Sequence, residues 1–173
     1  VPKKNIQPLA GKPLIAYTIE AAKRSKHLGR VIVSTDDPEI AEIAKQAGAE
    51  VVMRPPELAT DEAPTELALL HAIETLKAAE GAAPDVVVTL EPTSPLRTHE
   101  LIDRCIEQLR KSGADSLVTV VETRECFGTL QDGRFTYLEK GQPRRRQDRA
   151  PLYRESGTVY ATRTPTLLKE RRI

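Results

Sequence analysis

The sequence predicts an α/β fold in which helices cover a mainly parallel sheet, and three observations support this. Strand-like and helical patterns alternate along the chain, as they do when each parallel strand leads into a crossover helix. The strand-like patterns are short runs rich in Val and Ile, which is typical of strands buried on both faces. Two of the helical patterns begin at a capping residue and end at a glycine.

The first half of the chain alternates regularly between these patterns. Pro13 begins a helix with apolar residues at helical spacing, and residues 30–35 form a β-branched run typical of a buried strand. Asp37 is the N-cap of a second helix, which Gly48 ends. Residues 50–53 then predict the next strand.

The second half continues the alternation up to residue 121. A helix is predicted from about Pro64 to Glu80, and the clearest central strand follows at residues 85–90. Thr98 caps a further helix that Gly113 ends, and residues 116–121 predict another strand.

Residues 122–156 are predicted to leave the sheet as a lid or a dimer arm. Asp132 and Gly133 lie between two short strand-like runs, which is a hairpin signal. A basic loop at residues 143–149 follows, and residues 158–162 predict a strand that returns to the sheet.

Composition indicates one globular domain at residues 1–173, long enough to bury a core. Apolar residues make up 39% and charged residues 29%, and the net charge of +1 selects neither nucleic acid nor an anionic membrane. No apolar run approaches the ~20 residues needed to span a bilayer. Cys105 and Cys126 have no metal-binding spacing, so we expect a reduced, cytoplasmic protein.

The first candidate site is at the start of the chain, where residues 2–5 read Pro-Lys-Lys-Asn. Lysines neutralise phosphate charge, and an Asn amide can recognise a base or a ribose. Taken alone, Lys3 and Lys4 are interpreted as solvated surface charge. The motif has no strand before it, and the chain stops in a charged helix end, so we expect truncation at both ends.

The second and third candidate sites follow predicted strands. Arg54 enters a loop with the sequence Pro-Pro-Glu-Leu-Ala-Thr-Asp, whose prolines fix backbone groups that could select a small base. The plainer interpretation is a connection capped by Asp61. Residues 92–97 read Pro-Thr-Ser-Pro-Leu-Arg and place two hydroxyls at the carboxyl end of a strand. Here the plainer interpretation is a rigid turn with Arg97 solvated.

A fourth candidate site is the basic loop together with the strand after it. The sequence has Arg146-Gln147, then Arg154-x-Ser-Gly-x-x-Tyr160. An arginine fork suits a carboxylate. A solvated charge run is the alternative, and nucleic acid is disfavoured because no aromatic residues interleave the arginines.

These segments resemble, in order and spacing, the CMP-sialic acid synthetase (acylneuraminate cytidylyltransferase) family. That family has Pro-x-Lys-Asn, Arg-Pro-x-Glu-Leu-Ala-x-Asp, Leu-Gln-Pro-Thr-Ser-Pro-Leu-Arg and Arg-Gln…Arg-x-Asn-Gly-x-x-Tyr stretches. The resemblance covers nearly the whole chain. It implies a three-layer αβα, Rossmann-like nucleotidyltransferase fold with a small β-hairpin excursion for dimerisation or closure.

The resemblance also implies an activity and its residues. A nonulosonic (sialic-type) acid would react with CTP to give the CMP-sugar and pyrophosphate. The enzyme would be a homodimer that uses Mg²⁺. The aspartates that bind the metal in the family lie outside these residues, so no metal ligand is assigned. The residues implied for the nucleotide are Lys4, which is also the catalytic candidate, Asn5, Arg54, Ala63 and Thr65. Those implied for the sugar are Glu91, Thr93, Ser94, Arg146, Gln147, Arg154 and Tyr160.

Two positions depart from the family pattern on the sugar side. Glu91 stands where the family has Gln, and Ser156 stands where it has Asn. A carboxylate beside an acidic sugar repels it unless it is protonated or paired with a cation. We therefore expect a sugar other than plain N-acetylneuraminate, such as a nonulosonic acid with a basic or different N-substituent.

Two alternatives to this function stay open at the level of the sequence. One is another sugar nucleotidyltransferase, using Kdo or a different nucleotide, and the other is a catalytically degenerate nucleotide-binding or dimerisation module. An NAD-dependent enzyme is disfavoured because no Gly-x-Gly-x-x-Gly follows a strand.

Overall fold

The computed structural model describes residues 3–60 and 62–172, which form two compact units. The first unit takes in the described residues up to Val118 and from Gly157 onward, and the second is Thr119–Ser156. The second unit contains most of the predicted excursion, whose role as a lid or dimer arm stays a prediction. The predictions that involve Pro2 and Asp61 lie outside the described residues. Within the described residues, no helix has the length and apolarity that crossing a membrane requires.

The chain contains five helices and nine strands among the described residues. The helices are α1 (Leu14–Arg24), α2 (Pro38–Gln46), α3 (Thr65–Glu80), α4 (His99–Ser112) and α5 (Thr164–Glu170). The strands are β1 (Pro8–Leu9), β2 (Lys12–Pro13), β3 (Ile32–Thr35), β4 (Glu50–Met53), β5 (Val86–Thr89), β6 (Ser116–Thr123), β7 (Gly128–Gln131), β8 (Arg134–Tyr137) and β9 (Leu152–Arg163). Short 3₁₀ turns form at Lys4–Ile6, Pro56–Leu58 and Arg146–Asp148.

The first half of the chain folds as its sequence predicts. β3 and β4 pair in parallel, from Ile32 opposite Glu50 to Thr35 opposite Met53. The side chain of Asp37 caps α2 by accepting the backbone N–H groups of residues 39 and 40. Helices α1 and α2 pack on this pair of strands through a buried apolar cluster. The side chains of the cluster include Ile15, Ile19, Val33, Ala44 and Val51.

Strand β9 returns to the sheet and pairs antiparallel with β5, from Val86 opposite Arg163 to Thr89 opposite Tyr160. This pairing confirms the predicted return strand. The strand order in this sheet is β5-β9-β6, so β9 is the one hydrogen-bonded neighbour of β5 within the part of the chain that the structure describes. The sequence predicts β5 to be central, and its half-buried residues fit its position at the edge of this ladder instead.

Helices cover both faces of β5, which gives the three layers of an αβα fold. Val88 packs against the buried cluster of α4, which contains Ile102 and Cys105. Val87, which points to the other face of the strand, packs against the cluster that joins α3 to Leu167 of α5.

The second unit contains the predicted hairpin. β7 and β8 pair antiparallel, with Gln131 opposite Arg134. Asp132 and Gly133 have φ angles of +49° and +73°, as a tight two-residue hairpin turn requires. The rings of Phe135 and Tyr137 pack edge to face with 5.0 Å between their centres.

Candidate functional site

One group of predicted site residues lies at the carboxyl ends of β3 and β4. Arg54 follows β4, and its backbone N–H donates to the carbonyl of Thr35 over 2.8 Å. Its guanidinium lies 3.7 Å from the carboxylate of Asp36, which follows β3. The Nε of Arg54 is buried and has no hydrogen-bond partner among the described residues. A buried donor without a partner is costly, so this N–H is suited to an acceptor on a ligand.

The amino-terminal segment reaches the same edge of the fold. Lys3 forms an ion pair with Glu39, and its Nζ lies 3.6 Å from the carboxylate of Asp37 at the start of α2. The hydrogen bond with Glu39 is the main reason that the pKa of Lys3 lies above its ordinary value. Lys4 is exposed, and the buried Oδ1 of Asn5 has no partner within the described ranges.

Both segments therefore meet the loop that joins β3 to α2. Lys3 contacts Asp37 and Arg54 contacts Asp36, and these two carboxylates are adjacent in sequence. The turn Lys4–Ile6 packs against α1 and α2. The structure thus brings Lys3 and Asn5 to the same edge of the fold as Arg54, which lies about fifty residues further along the sequence.

Ala63 and Thr65 lie in the connection to α3. The backbone N–H of Ala63 donates to the carbonyl of Thr60 over 3.1 Å, and Thr65 is the exposed first residue of the helix. Among the described residues, no hydrogen bond joins Ala63 or Thr65 to Arg54 or Asn5. Their role stays a prediction.

A second group lies in the loop after β5. The backbone N–H of Ser94 donates to the carbonyl of Glu91 over 3.2 Å, and Ser94 Oγ donates to the carbonyl of Gly157 over 3.3 Å. Thr93 is exposed. Tyr160 lies opposite the last residue of β5 in the β5–β9 pairing. Glu91, Ser94 and Tyr160 are thus placed near one end of this pair of strands.

Arg97, at the end of the same loop, is buried, so the interpretation that it is solvated is wrong. Only 5% of the residue is exposed. Its guanidinium donates to the carbonyls of Thr158 and Glu91 and to the hydroxyl of Thr18. Burial lowers the pKa of Arg97 to about 10.

Glu91, in the same loop, has no oppositely charged side chain close to its carboxylate among the described residues. Its carboxylate is half-buried, and within residues 3–60 and 62–172 no cationic side chain lies within 4 Å of it. The longer-range attraction of Glu91 opposes the lowering of the Arg97 pKa by burial. The Glu91 carboxylate is therefore placed to accept a hydrogen bond or a positive charge from a ligand.

The second unit contains the basic part of the predicted sugar site. Arg146 lies in the turn Arg146–Asp148 with Gln147, and its Nη2 is 3.2 Å from a carboxylate oxygen of Glu125. Arg146 and Gln147 line an open cavity of about 400 Å³ together with Arg124. Arg154 is exposed on β9.

Ser156, the second departure from the family pattern, has its own partner. Its Oγ lies 2.8 Å from Oγ1 of Thr119 and donates to the Thr119 carbonyl over 3.1 Å. The hydroxyl thus helps to hold the two ends of the second unit together. The sequence identifies Ser156 only as a departure on the sugar side and does not predict the contact with Thr119, because nothing local to either residue indicates it.

The Mg²⁺ that the resemblance implies has no ligand assigned among the described residues. Within residues 3–60 and 62–172, no group of three or more His, Cys, Asp and Glu side chains is arranged to hold a metal ion.

Taken together, the described residues form an open α/β domain with αβα layers and with polar groups at the carboxyl ends of its strands, where such domains commonly bind ligands. The cytidylyltransferase family model matches residues 1–173. The chain belongs to the cytidylyltransferase family.

Comparison with individual proteins agrees with this assignment. The chain is 34% identical over 99% of its length to an N-acylneuraminate cytidylyltransferase of Streptococcus agalactiae serotype III, of which it spans 42%. It is 32% identical over 99% of its length to the CMP-N,N'-diacetyllegionaminic acid synthase of Legionella pneumophila, of which it spans 75%.

A solved structure supports the fold independently of sequence. CMP:2-keto-3-deoxy-manno-octonic acid synthetase, solved with CTP, superimposes with a TM-score of 0.74. The match covers 99% of this chain and 71% of that one at 18% identity, so it bears on the fold alone.

Proposed function

We propose that the chain is part of an enzyme that activates a nonulosonic acid with CTP, giving the CMP-sugar and pyrophosphate. The observation that carries the proposal is the similarity, over 99% of the chain, to an N-acylneuraminate cytidylyltransferase and a CMP-N,N'-diacetyllegionaminic acid synthase. The placement of Lys3 and Arg54 against the adjacent carboxylates of Asp37 and Asp36 supports it, because Lys4 and Asn5 directly follow Lys3 in the chain.

In the proposed reaction, the anomeric hydroxyl of the sugar acid attacks the α-phosphate of CTP and pyrophosphate leaves. Lys4, exposed beside the turn that positions Asn5, stabilises the charge that develops on the phosphates. The unpartnered Asn5 Oδ1 and Arg54 Nε contact the base or the ribose. Backbone groups at Ala63 and Thr65 complete the proposed base contacts.

The sugar acid is proposed to bind through two kinds of group. Arg146 and Arg154 supply guanidinium forks for its carboxylate. The hydroxyls and the N-substituent of the sugar are contacted by a second set of residues. This set comprises Glu91, Thr93, Ser94, Gln147 and Tyr160.

We also propose that the enzyme uses Mg²⁺, works as a homodimer and is cytoplasmic. The family resemblance implies that the metal ligands lie outside residues 1–173, and no step is derived through the metal. The aromatic and aliphatic side chains exposed on the hairpin support an arm that docks on a second copy.

Pyrophosphate release by the full-length protein tests the proposal. The protein is assayed with Mg²⁺, CTP and a panel that includes N-acetylneuraminate and N,N'-diacetyllegionaminate, with UTP, ATP and GTP as nucleotide controls. CTP-dependent release with one sugar acid supports the proposal. No release with any pair, from protein that is folded, overturns it and favours the degenerate binding module.

A further inference from the structure

The guanidinium of Arg97 is a buried positive charge without a carboxylate beside it. The residue is 5% exposed, and within the described ranges no Asp or Glu oxygen lies within 4 Å of it. Buried charges are normally paired, because their desolvation is costly. Among the described residues, the Arg97 guanidinium is instead held by hydrogen bonds to neutral acceptors.

The three acceptors of Arg97 lie on three different segments of the first unit. Nε donates to the carbonyl of Thr158 on β9 over 2.5 Å, and Nη1 donates to Oγ1 of Thr18 on α1 over 3.2 Å. Nη2 donates to the carbonyl of Glu91 over 2.7 Å. Arg97 therefore ties the beginning of the loop after β5 to both a strand and a helix.

The same loop is tied to β9 at a second point. Ser94 Oγ donates to the carbonyl of Gly157, which is adjacent to the Arg97 acceptor Thr158. The carbonyl of Glu91 accepts from Arg97 and also from the N–H of Ser94. These bonds fix the backbone from which the side chains of Glu91 and Thr93 extend.

We propose that Arg97 is a positioning residue for the sugar acid: its hydrogen bonds hold residues 91–94 against β9. This inference rests on the proposed function, since it concerns the substrate side of that site. Arg97 itself does not touch the substrate. A lysine cannot replace it, because reaching three acceptors in different directions needs the planar fork of donors.

Steady-state kinetics of Arg97→Lys in the full-length protein test the proposal. We expect the KM for the sugar acid to rise about tenfold, because two hydrogen bonds are lost while the charge is kept. The KM for CTP should stay within about twofold, since the proposed nucleotide contacts lie at β3 and β4. Arg30→Lys is the matched control, because Arg30 is an exposed arginine paired with Glu50 and Glu80, and it should change neither KM.

Amide hydrogen exchange tests the positioning step without requiring activity. Arg97→Lys should speed exchange at the N–H groups of Ser94 and Arg97, while Arg30→Lys leaves them unchanged. If Arg97→Lys fails to fold, Thr18→Val replaces it in the experiment, because it removes one acceptor and keeps Arg97. Thr18→Val should speed exchange at the same N–H groups, but by less. Unchanged exchange in the loop, or equal rises in both KM values, overturns the proposal. Faster exchange without any detectable CTP-dependent activity in the wild type counts against the proposed function alone.

Discussion

Arg54 and Asp36 join the carboxyl ends of β4 and β3 through an ion pair of 3.7 Å between Nη2 and Oδ1. The Arg54 side chain is 23% exposed and that of Asp36 is 47% exposed, so the pair lies at the surface with the arginine more deeply placed. A surface pair of this length contributes little to stability. Its consequence is to orient the guanidinium while the buried Nε keeps its hydrogen free for a ligand.

Arg54→Ala should weaken CTP binding strongly. A hydrogen bond involving a charged group is worth about 1.5–3 kcal/mol, so the KM for CTP should rise roughly 10- to 150-fold. Asp36→Asn should raise the same KM by a smaller factor, because it loosens Arg54 without removing it. Pyrophosphate release measured against CTP concentration checks both changes.

The control for Arg54 is Arg30→Ala, which removes an exposed arginine that pairs with Glu50 and Glu80. It should leave the KM for CTP unchanged. An Arg54→Ala variant that folds and keeps the wild-type KM for CTP would show that Arg54 is not a nucleotide contact.

Glu91→Gln should shift selectivity among sugar acids. The half-buried carboxylate of Glu91 has no cation within 4 Å among the described residues, so it favours a substrate group that is positive or donates hydrogen bonds. Removing the charge should lower kcat/KM for acids with a basic N-substituent by about tenfold and raise it for acids with neutral substituents. Competition between two such acids measures the ratio directly.

Glu74→Gln provides the matched control for this charge change, since Glu74 is exposed on α3. Its selectivity ratio should equal that of the wild type. Equal ratios for the wild type and Glu91→Gln would remove Glu91 from the sugar site.

The sequence predicts the elements whose signals are local. Asp37 begins α2 and Gly113 follows the end of α4 because capping depends on neighbouring residues. The strand at Glu50–Met53 matches its prediction, and the Asp132-Gly133 turn needs only two residues with positive φ. Each of these features is determined within a few residues of the chain.

The parts that the sequence does not predict depend on distant partners. The sequence does not predict the burial of Arg97, because its acceptors Thr158 and Thr18 lie 61 and 79 positions away along the chain. Lys3 likewise pairs with Glu39, 36 positions along, which leaves Lys4 as the lysine of the motif without an ion pair among the described residues. Motif spacing can nominate such residues, but only the fold shows which of them are engaged within the protein.

Asp103→Asn should lower stability in a pH-dependent way. Burial by itself raises the pKa of Asp103, but hydrogen bonds from Ser25 Oγ, the Lys26 N–H and the His27 N–H lower it more, to below the ordinary 3.8. A group whose folded pKa is lowered contributes stability above its unfolded pKa and loses it as pH falls through the folded value. The variant should therefore be less stable by about 1 kcal/mol at pH 7, and the difference should disappear as the pH falls below about 4.

Urea unfolding at pH 7 and at pH 3 measures this difference. Glu107→Gln is the control on the same helix, because its exposed carboxylate pairs with His27 and with no other side chain among the described residues, so it should change stability little. A stability difference for Asp103→Asn that is the same at both pH values would contradict the assignment.

Gly128→Ala should open the hairpin and, if the hairpin is a dimer arm, weaken the dimer. A Cβ at Gly128 would collide with the ring of Phe135 and with the backbone carbonyl of Thr136, so β7 and β8 must separate. Overpacking of this kind costs about 1–3 kcal/mol.

Gly29→Ala, where a Cβ would meet nothing within 4 Å, is the control. Sedimentation should show the wild type and Gly29→Ala as dimers and Gly128→Ala shifted toward monomer, with faster proteolysis near residues 128–137. A Gly128→Ala variant that is cut faster yet remains fully dimeric would place the dimer contact outside the hairpin.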